Sequence, residues 1–354
     1  MAYADVAVLG AGVAGLIAAL RIARSDRSVV LVAPHPPQPG DARRVDAVPA
    51  QYLALLVDLG LPPNAVGAEL APPIRRAAWE CAAPQSTPGP PTAHVERPTL
   101  ELALLALLRR EHRATIRFVP RLRPGQNLAA SGWRARKMID ASGRAALTAG
   151  NLVQPPRPWV ARTFATERAR CEADAGFAIA ALPDGYAYRL GTAATITVGA
   201  VGRGASVSGS PRDIEYRLRR AAPWLIEGLP ALSQMRANKA KPASVQWSQG
   251  PGLRIGDAAL ARDALSSQGI ATGSTEAMLA AAWDDEADLR SIHARQCEQR
   301  GAHLRSLLGT IERCRYADYP VWQDYRAFLT AHVESESPRM TAALRGGRIE
   351  TVSI

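Results

Sequence analysis

The stretch DVAVLGAGVAGLIAALRIAR, residues 5–24, followed by SVVLVA at 28–33, decides the fold. DVAVL is an apolar run of strand length, and Gly10-Ala11-Gly12-Val13-Ala14-Gly15 follows at once. LIAALRIAR is apolar at helical spacing, and SVVLVA reads as a second buried strand. Strand, glycine turn, helix and strand make a βαβ unit. In that frame Gly10 makes the tight turn, Gly12 lets backbone approach a pyrophosphate, and Gly15 lets the helix pack on the strand. The helix start, at Val13 and Ala14, offers amide donors and a positive dipole end to phosphates. A GxGxxG string alone also fits a plain glycine-rich turn; the strand before it and the helix after it are what dinucleotide binding requires.

One expected part is missing. The second strand should end in an acidic residue that binds the adenosine ribose, but Ala33 and Pro34 stand there. Asp41 or Asp46 could substitute if the loop folds back. The alternative is a less tightly held adenosine, with Arg43 or Arg44 gripping the pyrophosphate; that pair equally fits a solvated surface.

Further along, Pro98 to Arg110 reads as a helix with Thr99 as N-cap, and 114–119 and 133–139 read as strands. From Pro155 to about Gly250 short strands alternate with turns, and from Gly269 to about Val333 the chain is mostly helical. A β-rich middle inserted into an α/β frame is the simplest reading. The expected division is 1–66, 96–154 and 251–290 for the dinucleotide domain, 67–95 and 155–250 for a substrate domain, and 291–354 for a C-terminal helical segment and tail.

The 354 residues suffice for about two domains. With 47% hydrophobic and 21% charged residues the composition is globular rather than disordered. No apolar run approaches the ~20 residues of a membrane span, so no membrane partner is expected. No signal peptide is apparent, and the four cysteines form no CxxC pair; reduced thiols in the cytoplasm are the expectation. The net charge of +11 is carried by 40 Arg and only 3 Lys, at 137, 239 and 241. Codon usage of a GC-rich genome explains that bias; an anionic ligand or acidic partner is the functional reading. Basic residues are scattered and aromatics make up only 5%, which argues against nucleic acid. No spacing suggests metal ligands.

A second signature lies downstream, at Gly256-Asp257-Ala258-Ala259 and then Asp263-Ala264-Leu265-Ser266-Ser267-Gln268-Gly269-Ile270. A strand ending in Gly-Asp presents a carboxylate that can accept from sugar-chain hydroxyls. The Ser-Ser-Gln-Gly turn opens a helix whose start points unpaired amides at whatever sits there, and an anionic reduced isoalloxazine would be stabilised by them.

The chain resembles the FAD-dependent aromatic hydroxylase superfamily, of the para-hydroxybenzoate hydroxylase type. Within it, the resemblance is strongest to the branch of the flavin-dependent tryptophan halogenases and the hydroxylases that mature tryptophylquinone cofactors. GAGVAG at 10–15, VERPTLE at 95–101, MIDASGR at 138–144 and GDAALARDALSSQGIA at 256–271 carry it. The implied fold is a Rossmann-like FAD-binding domain with an inserted β-sheet-rich substrate domain and C-terminal helices. By that similarity Gly10, Gly12 and Gly15 hold the FAD pyrophosphate, and Arg97 begins a helix flanking the FAD. Asp140 to Gly143 pass the adenosine side, Asp257 binds the ribityl-pyrophosphate region, and Ser266, Ser267, Gln268, Gly269 and Ile270 lie beside the flavin ring. The usual proline after the second aspartate of this motif is Ala264 here, which leaves that turn less rigid.

The resemblance implies a flavoprotein monooxygenase using O₂ to hydroxylate an aromatic substrate through a flavin C4a-hydroperoxide. Electrons come from NAD(P)H docking transiently or from a partner reductase. Halogenation is disfavoured: no lysine precedes Lys137, where halogenases carry their relay ammonium, and the WxWxIP string is absent. A reductase or oxidase of the geranylgeranyl reductase type would need a wide apolar tunnel, which 155–250 does not suggest, and a non-enzymatic flavin-bearing scaffold is the third alternative. No catalytic acid or base stands out; His94, Glu96 and Asp46 are candidates for which capping or surface roles also serve. Trp79, Tyr186, Tyr188 and Trp247 could line the substrate side or pack in a core, and Lys239 and Lys241 are expected in solvent. For a chain this short, an open cleft would suit a large substrate, such as a tryptophan still within a protein.

Overall fold

The apolar run at the N-terminus becomes the strand Ala2–Leu9, and its all-apolar neighbour Val29–Ala33 lies beside it in parallel, Val6 opposite Val29 and Leu9 opposite Val32. A parallel pair needs a crossover, supplied by the helix Val13–Ala23. In this computed structural model, which describes residues 2–38, 44–120, 133–173, 176–250 and 252–345, three more strands extend the sheet. The order is Leu253–Arg254, Trp133–Asp140, Ala2–Leu9, Val29–Ala33, Ala114–Phe118, all parallel. Leu16, Ile17, Leu20 and Ile22 of the crossover helix are fully buried among residues of the helices Arg97–Leu108 and Gly269–Ala282.

The second large element is an eight-stranded sheet. Its centre is the antiparallel run Val160–Glu167, Thr195–Gly202, Gly185–Gly191 and Phe177–Leu182; Ile74–Ala78 then joins in parallel and Gln85–Pro88 closes that edge. The opposite edge is made by two short pieces, Arg236–Ala237 and Lys241–Pro242, both on Val160–Glu167. One face of this sheet packs on the helices Glu286–Glu312 and Pro320–Arg345 through Leu304, Leu307, Ile311, Trp322 and Tyr325.

A three-stranded sheet of Val45–Pro49, Thr92–Glu96 and Ala68–Leu70 straddles the sequence divisions expected near 66 and 96. The helix expected from Pro98 begins at Arg97, with Glu96 in the capping position and Thr99 inside the first turn. Proline in the first turn loses no hydrogen bond that the helix needs, so the helix can start ahead of it; Thr99 Oγ1 instead donates to Glu96 Oε2 at 3.2 Å. Among the described residues no helix is long and apolar enough to cross a membrane.

Candidate functional site: a cleft between the parallel sheet and the eight-stranded sheet

A cleft of about 660 Å³ runs between the two large sheets. Gly10, Gly12, Arg44, Arg97, Gly143, Asp257, Ser267, Gln268, Gly269 and Ile270 all line it. The structure thus brings together glycine-loop and downstream residues more than 240 positions apart in the chain.

The three loop glycines do different things. Gly10 has φ +109°, and a Cβ there would sit 2.3 Å from the Ala141 carbonyl oxygen. A Cβ on Gly15 would sit 2.0 Å from the Gly10 oxygen. Those two glycines let strand, helix and the 140–143 segment touch. At Gly12 a Cβ would meet nothing nearer than Glu101 Oε1 at 4.0 Å; it would project into the cleft. The helix that follows has no side-chain cap and no acidic residue in its first turn. Its first amides are therefore open donors at the positive end of a helix dipole, a cradle of the size and polarity that a pyrophosphate fills.

Val13, Ala14 and Gly15 do not reach the cleft with their side-chain positions. Val13 is buried, and Ala14 packs where Gly256 and Gly273 bring the strand end and the helix Gly269–Ala282 together. Asp140 is fully buried. Its carboxylate accepts from the backbone N–H of Ser142 at 2.9 Å and from the N–H and hydroxyl of Thr148 at 2.7 and 2.9 Å. It shapes the loop that presents Ala141 to Gly143 to the cleft. Arg43 and Asp41 lie outside the described residues. At the end of the second strand, where the ribose-binding acid is missing, Pro34 and His35 form part of the cleft wall.

Asp46 is half-buried on the cleft wall. It accepts from Arg97 Nε at 2.9 Å and Arg44 Nε at 3.1 Å. Burial pushes its carboxyl up, but the two guanidiniums outweigh burial and leave it below the ordinary carboxylate value. Arg97 is likewise held firmly protonated, burial being outweighed by Asp46, Glu101 and Asp257. His94 and Glu96, the other acid–base candidates, are buried away from the cleft. His94 Nδ1 lies 2.6 Å from the Gly191 carbonyl oxygen, and burial lowers its pKa. Glu96 accepts from Thr195 Oγ1 at 2.7 Å.

The downstream run is organised by one buried carboxylate. Asp263 accepts from Tyr186 OH at 2.8 Å, from Tyr325 OH at 2.7 Å and from the Leu265 N–H at 2.9 Å. Burial raises its pKa, and the hydrogen bonds oppose that without cancelling it. Two tyrosine hydroxyls and a cap therefore secure the turn that carries Ala264 in place of a proline. Ser266 caps back onto the Asp263 carbonyl at 2.9 Å and does not line the cleft. Ser267 does, in the left-handed conformation at φ +51°, which is costly for a non-glycine residue and recurs where structure holds strain for function. The helix beyond, from Gly269, again has no side-chain cap. Behind it, the Gly256 N–H donates to Glu276 Oε2 at 2.6 Å, and burial pushes the Glu276 carboxyl up to about 7.

On the facing wall, Tyr186 and Tyr188 line the cleft. Trp79 and Trp247 do not; Trp79 donates to the Thr310 carbonyl at 2.8 Å and packs edge-on to Trp322, while Trp247 packs on Phe328 and His332. The Tyr188 ring lies over Gly199, where a Cβ would sit 2.2 Å from it. Its hydroxyl has no hydrogen-bond partner among the described residues, and burial pushes its pKa up to about 12. Lys239 and Lys241 are exposed, as expected, but they line the rim of this cleft. Sequence reasoning assigned no role to Arg262, Glu101 or Phe177, which also line it. Arg262 is only 8% exposed and faces Asp257 and Glu276 electrostatically; its place within the downstream motif was the available signal.

Residues 5–44 match the family described as FAD binding domain. No curated protein matches the chain by sequence. Among solved structures, the chain is similar to the peptidyl tryptophan dihydroxylase QhpG, essential for tryptophylquinone cofactor biogenesis, at 20% identity and TM-score 0.69, covering 92% of this chain and 79% of that one. It is similar to the myxobacterial chondrochloren halogenase CndH at 16% identity and TM-score 0.72, covering 99% and 92%. It is also similar to PqsL, a probable FAD-dependent monooxygenase from Pseudomonas aeruginosa, at 14% identity and TM-score 0.66, covering 93% and 100%. The chain has the fold shared by FAD-dependent aromatic hydroxylases and halogenases, and its glycine loop and helix start fit FAD.

Proposed function

We propose that the protein is an FAD-dependent monooxygenase that hydroxylates an aromatic substrate, with a tryptophan held in a polypeptide as the substrate class. The observation that carries this is the single cleft shared by two uncapped helix starts on one wall and an aromatic-lined sheet on the other. When bound and reduced, FAD would supply the activation of O₂; NAD(P)H or a partner reductase would supply the electrons.

The chain's own residues do the rest. The amides after Gly12 would hold the pyrophosphate, and Arg44 and Arg97, fixed by Asp46, line the same cleft and would add positive charge beside it. Asp257, on the cleft wall, would accept from the sugar-chain hydroxyls. The amides at Gly269 and Ile270, at an uncapped helix start on the cleft wall, would stabilise negative charge on the reduced ring. Tyr188 and Phe177 give the substrate ring apolar and aromatic surface, and the protonated Tyr188 hydroxyl is free to donate to it. Such a wall must hold the ring about 3–3.5 Å from the reacting atom. Two of the cleft carboxylates are already engaged, Asp46 by two arginines and Asp263 by two tyrosines.

Halogenation asks for a relay ammonium in a tunnel between cofactor and substrate, and Lys239 and Lys241 stand exposed on the rim instead. The test is to load the protein with FAD, reduce it, and mix it with a tryptophan-containing peptide and isotopically labelled O₂. A product heavier by labelled oxygen supports the reading. Reoxidation that leaves peptides and free aromatics alike unlabelled would end it.

A further inference from the structure

Lysine is almost unused in this chain, at 3 residues against 40 arginines. Each exception therefore invites a local reason. Lys137 has one: its Nζ donates to the carbonyls of Trp283 at 3.1 Å and Asp284 at 2.5 Å, and it lies 4.9 Å from the Trp283 ring centroid. A compact ammonium with three donors suits that spot better than a planar guanidinium. Lys239 and Lys241 have no such reason. Lys241 begins the short edge strand Lys241–Pro242 of the eight-stranded sheet, and Lys239 lies two residues before it in the link from Arg236–Ala237. Both line the cleft rim, and neither makes an ion pair or hydrogen bond among the described residues.

The other cleft cations are committed. Arg44 and Arg97 hold Asp46. Arg144 donates to the carbonyls of Ser244 and Arg262 at 2.7 and 3.2 Å. Arg262 is buried beside Asp257 and Glu276. Lys241 acts electrostatically on Glu101, which lines the opposite, cofactor side of the cleft. The rim thus offers two exposed ammonium groups to something that enters over the aromatic wall.

Resting on the hydroxylase reading, we propose that Lys239 and Lys241 form an anion-recognising lip and that the substrate carries a carboxylate beside its aromatic ring. An acidic peptide segment or a free aromatic acid supplies the same chemistry. Long, exposed ammonium groups attract such a charge during encounter and hold it at the rim, leaving the ring to enter.

The test measures binding to the FAD-loaded protein without turnover. The probes are a tryptophan peptide flanked by glutamates against its glutamine twin, and indole-3-acetate against indole-3-acetamide. The expected result is a preference for the charged member of about tenfold at low salt, shrinking as ionic strength rises. The double substitution Lys239→Met and Lys241→Met should abolish it with FAD affinity unchanged. Preference in the peptide pair alone identifies the polypeptide source, and in the indole pair the free acid. No preference in either pair overturns the proposal, as does one that survives the double substitution. A fall in FAD affinity with the preference intact would assign the lysines to the cofactor, and self-association of the variant with the preference intact would assign them to edge protection; both overturn it. Because no oxygen chemistry is read, a failed hydroxylase assay with the preference intact breaks only the earlier reading.

Discussion

The wall of the cleft on the side of the parallel sheet presents backbone, while the wall opposite presents side chains. On the first, Gly10, Gly12 and the starts of two helices offer amides, and the side chains near them mostly serve the scaffold: Asp140 ties down a loop, Glu276 holds the Gly256 amide, Asp263 anchors a turn. On the second, Phe177, the pair Tyr186 and Tyr188, and Lys241 come from three strands of one sheet, with Lys239 in the link before the last, and all line the space. A diphosphate-bearing cofactor can be bound by amides that any sequence carries, so that wall needs glycines at a few fixed places. A substrate must be distinguished by its shape and charge, and only side chains do that. The cofactor wall is therefore concentrated in two short strings, and the substrate wall is dispersed.

The sharpest way to separate scaffold from ligand contact on the first wall is to compare its glycines. Gly15→Ala places a Cβ 2.0 Å from backbone oxygen, so unfolding midpoints should fall steeply, by several kcal/mol in stability (~3 or more), and FAD should no longer bind. Asp263→Ala comes next. It takes the acceptor from the Tyr186 and Tyr325 hydroxyl protons, although Tyr325 still accepts from the Val245 N–H, and it removes a cap, at ~1–3 kcal/mol for each buried donor left unpaired. Urea titration should show that loss, and FAD titration a weaker site; an unchanged FAD affinity would mean the Ser267 turn does not depend on this anchor.

Gly12→Ala should behave differently from Gly15→Ala. Its Cβ has open space before it, so stability should stay within about 0.5 kcal/mol while FAD affinity drops at least tenfold. Equal losses of stability in both variants would contradict the division of labour within the loop.

The last comparison concerns Glu276, whose carboxyl burial raises from 4.5 to about 7. Between those values the folded protein binds more protons at this group than the unfolded chain, so its contribution to stability falls as pH rises through about 7. Glu276→Gln keeps an oxygen for the Gly256 amide and removes the titration. At pH 8 the variant should be more stable than the parent by ~1–3 kcal/mol, and the gap should close as the pH is lowered toward 5. Denaturation curves across that range check the sign.

What could be read from the sequence follows the same split. The strand, glycine turn and helix at 5–24 were legible because periods of two and 3.6 residues are local properties of the chain, and a helix start is open wherever no capping side chain precedes it. The downstream run was legible for the same reason. Local pattern did not reveal that Asp263 would meet Tyr186 and Tyr325, which lie 77 and 62 residues away. Nor did it reveal that His94 and Glu96 would be buried, that Asp46 would lock two arginines, or that two solvated lysines would stand on a cleft rim. The sequence by itself determined the βαβ frame, the amide-rich cofactor wall and the scarcity of lysine. Tertiary structure alone decided which carboxylates are spent on the scaffold and which cations stay free, because a side chain's partner is chosen by how distant strands pack, and no local period encodes that choice.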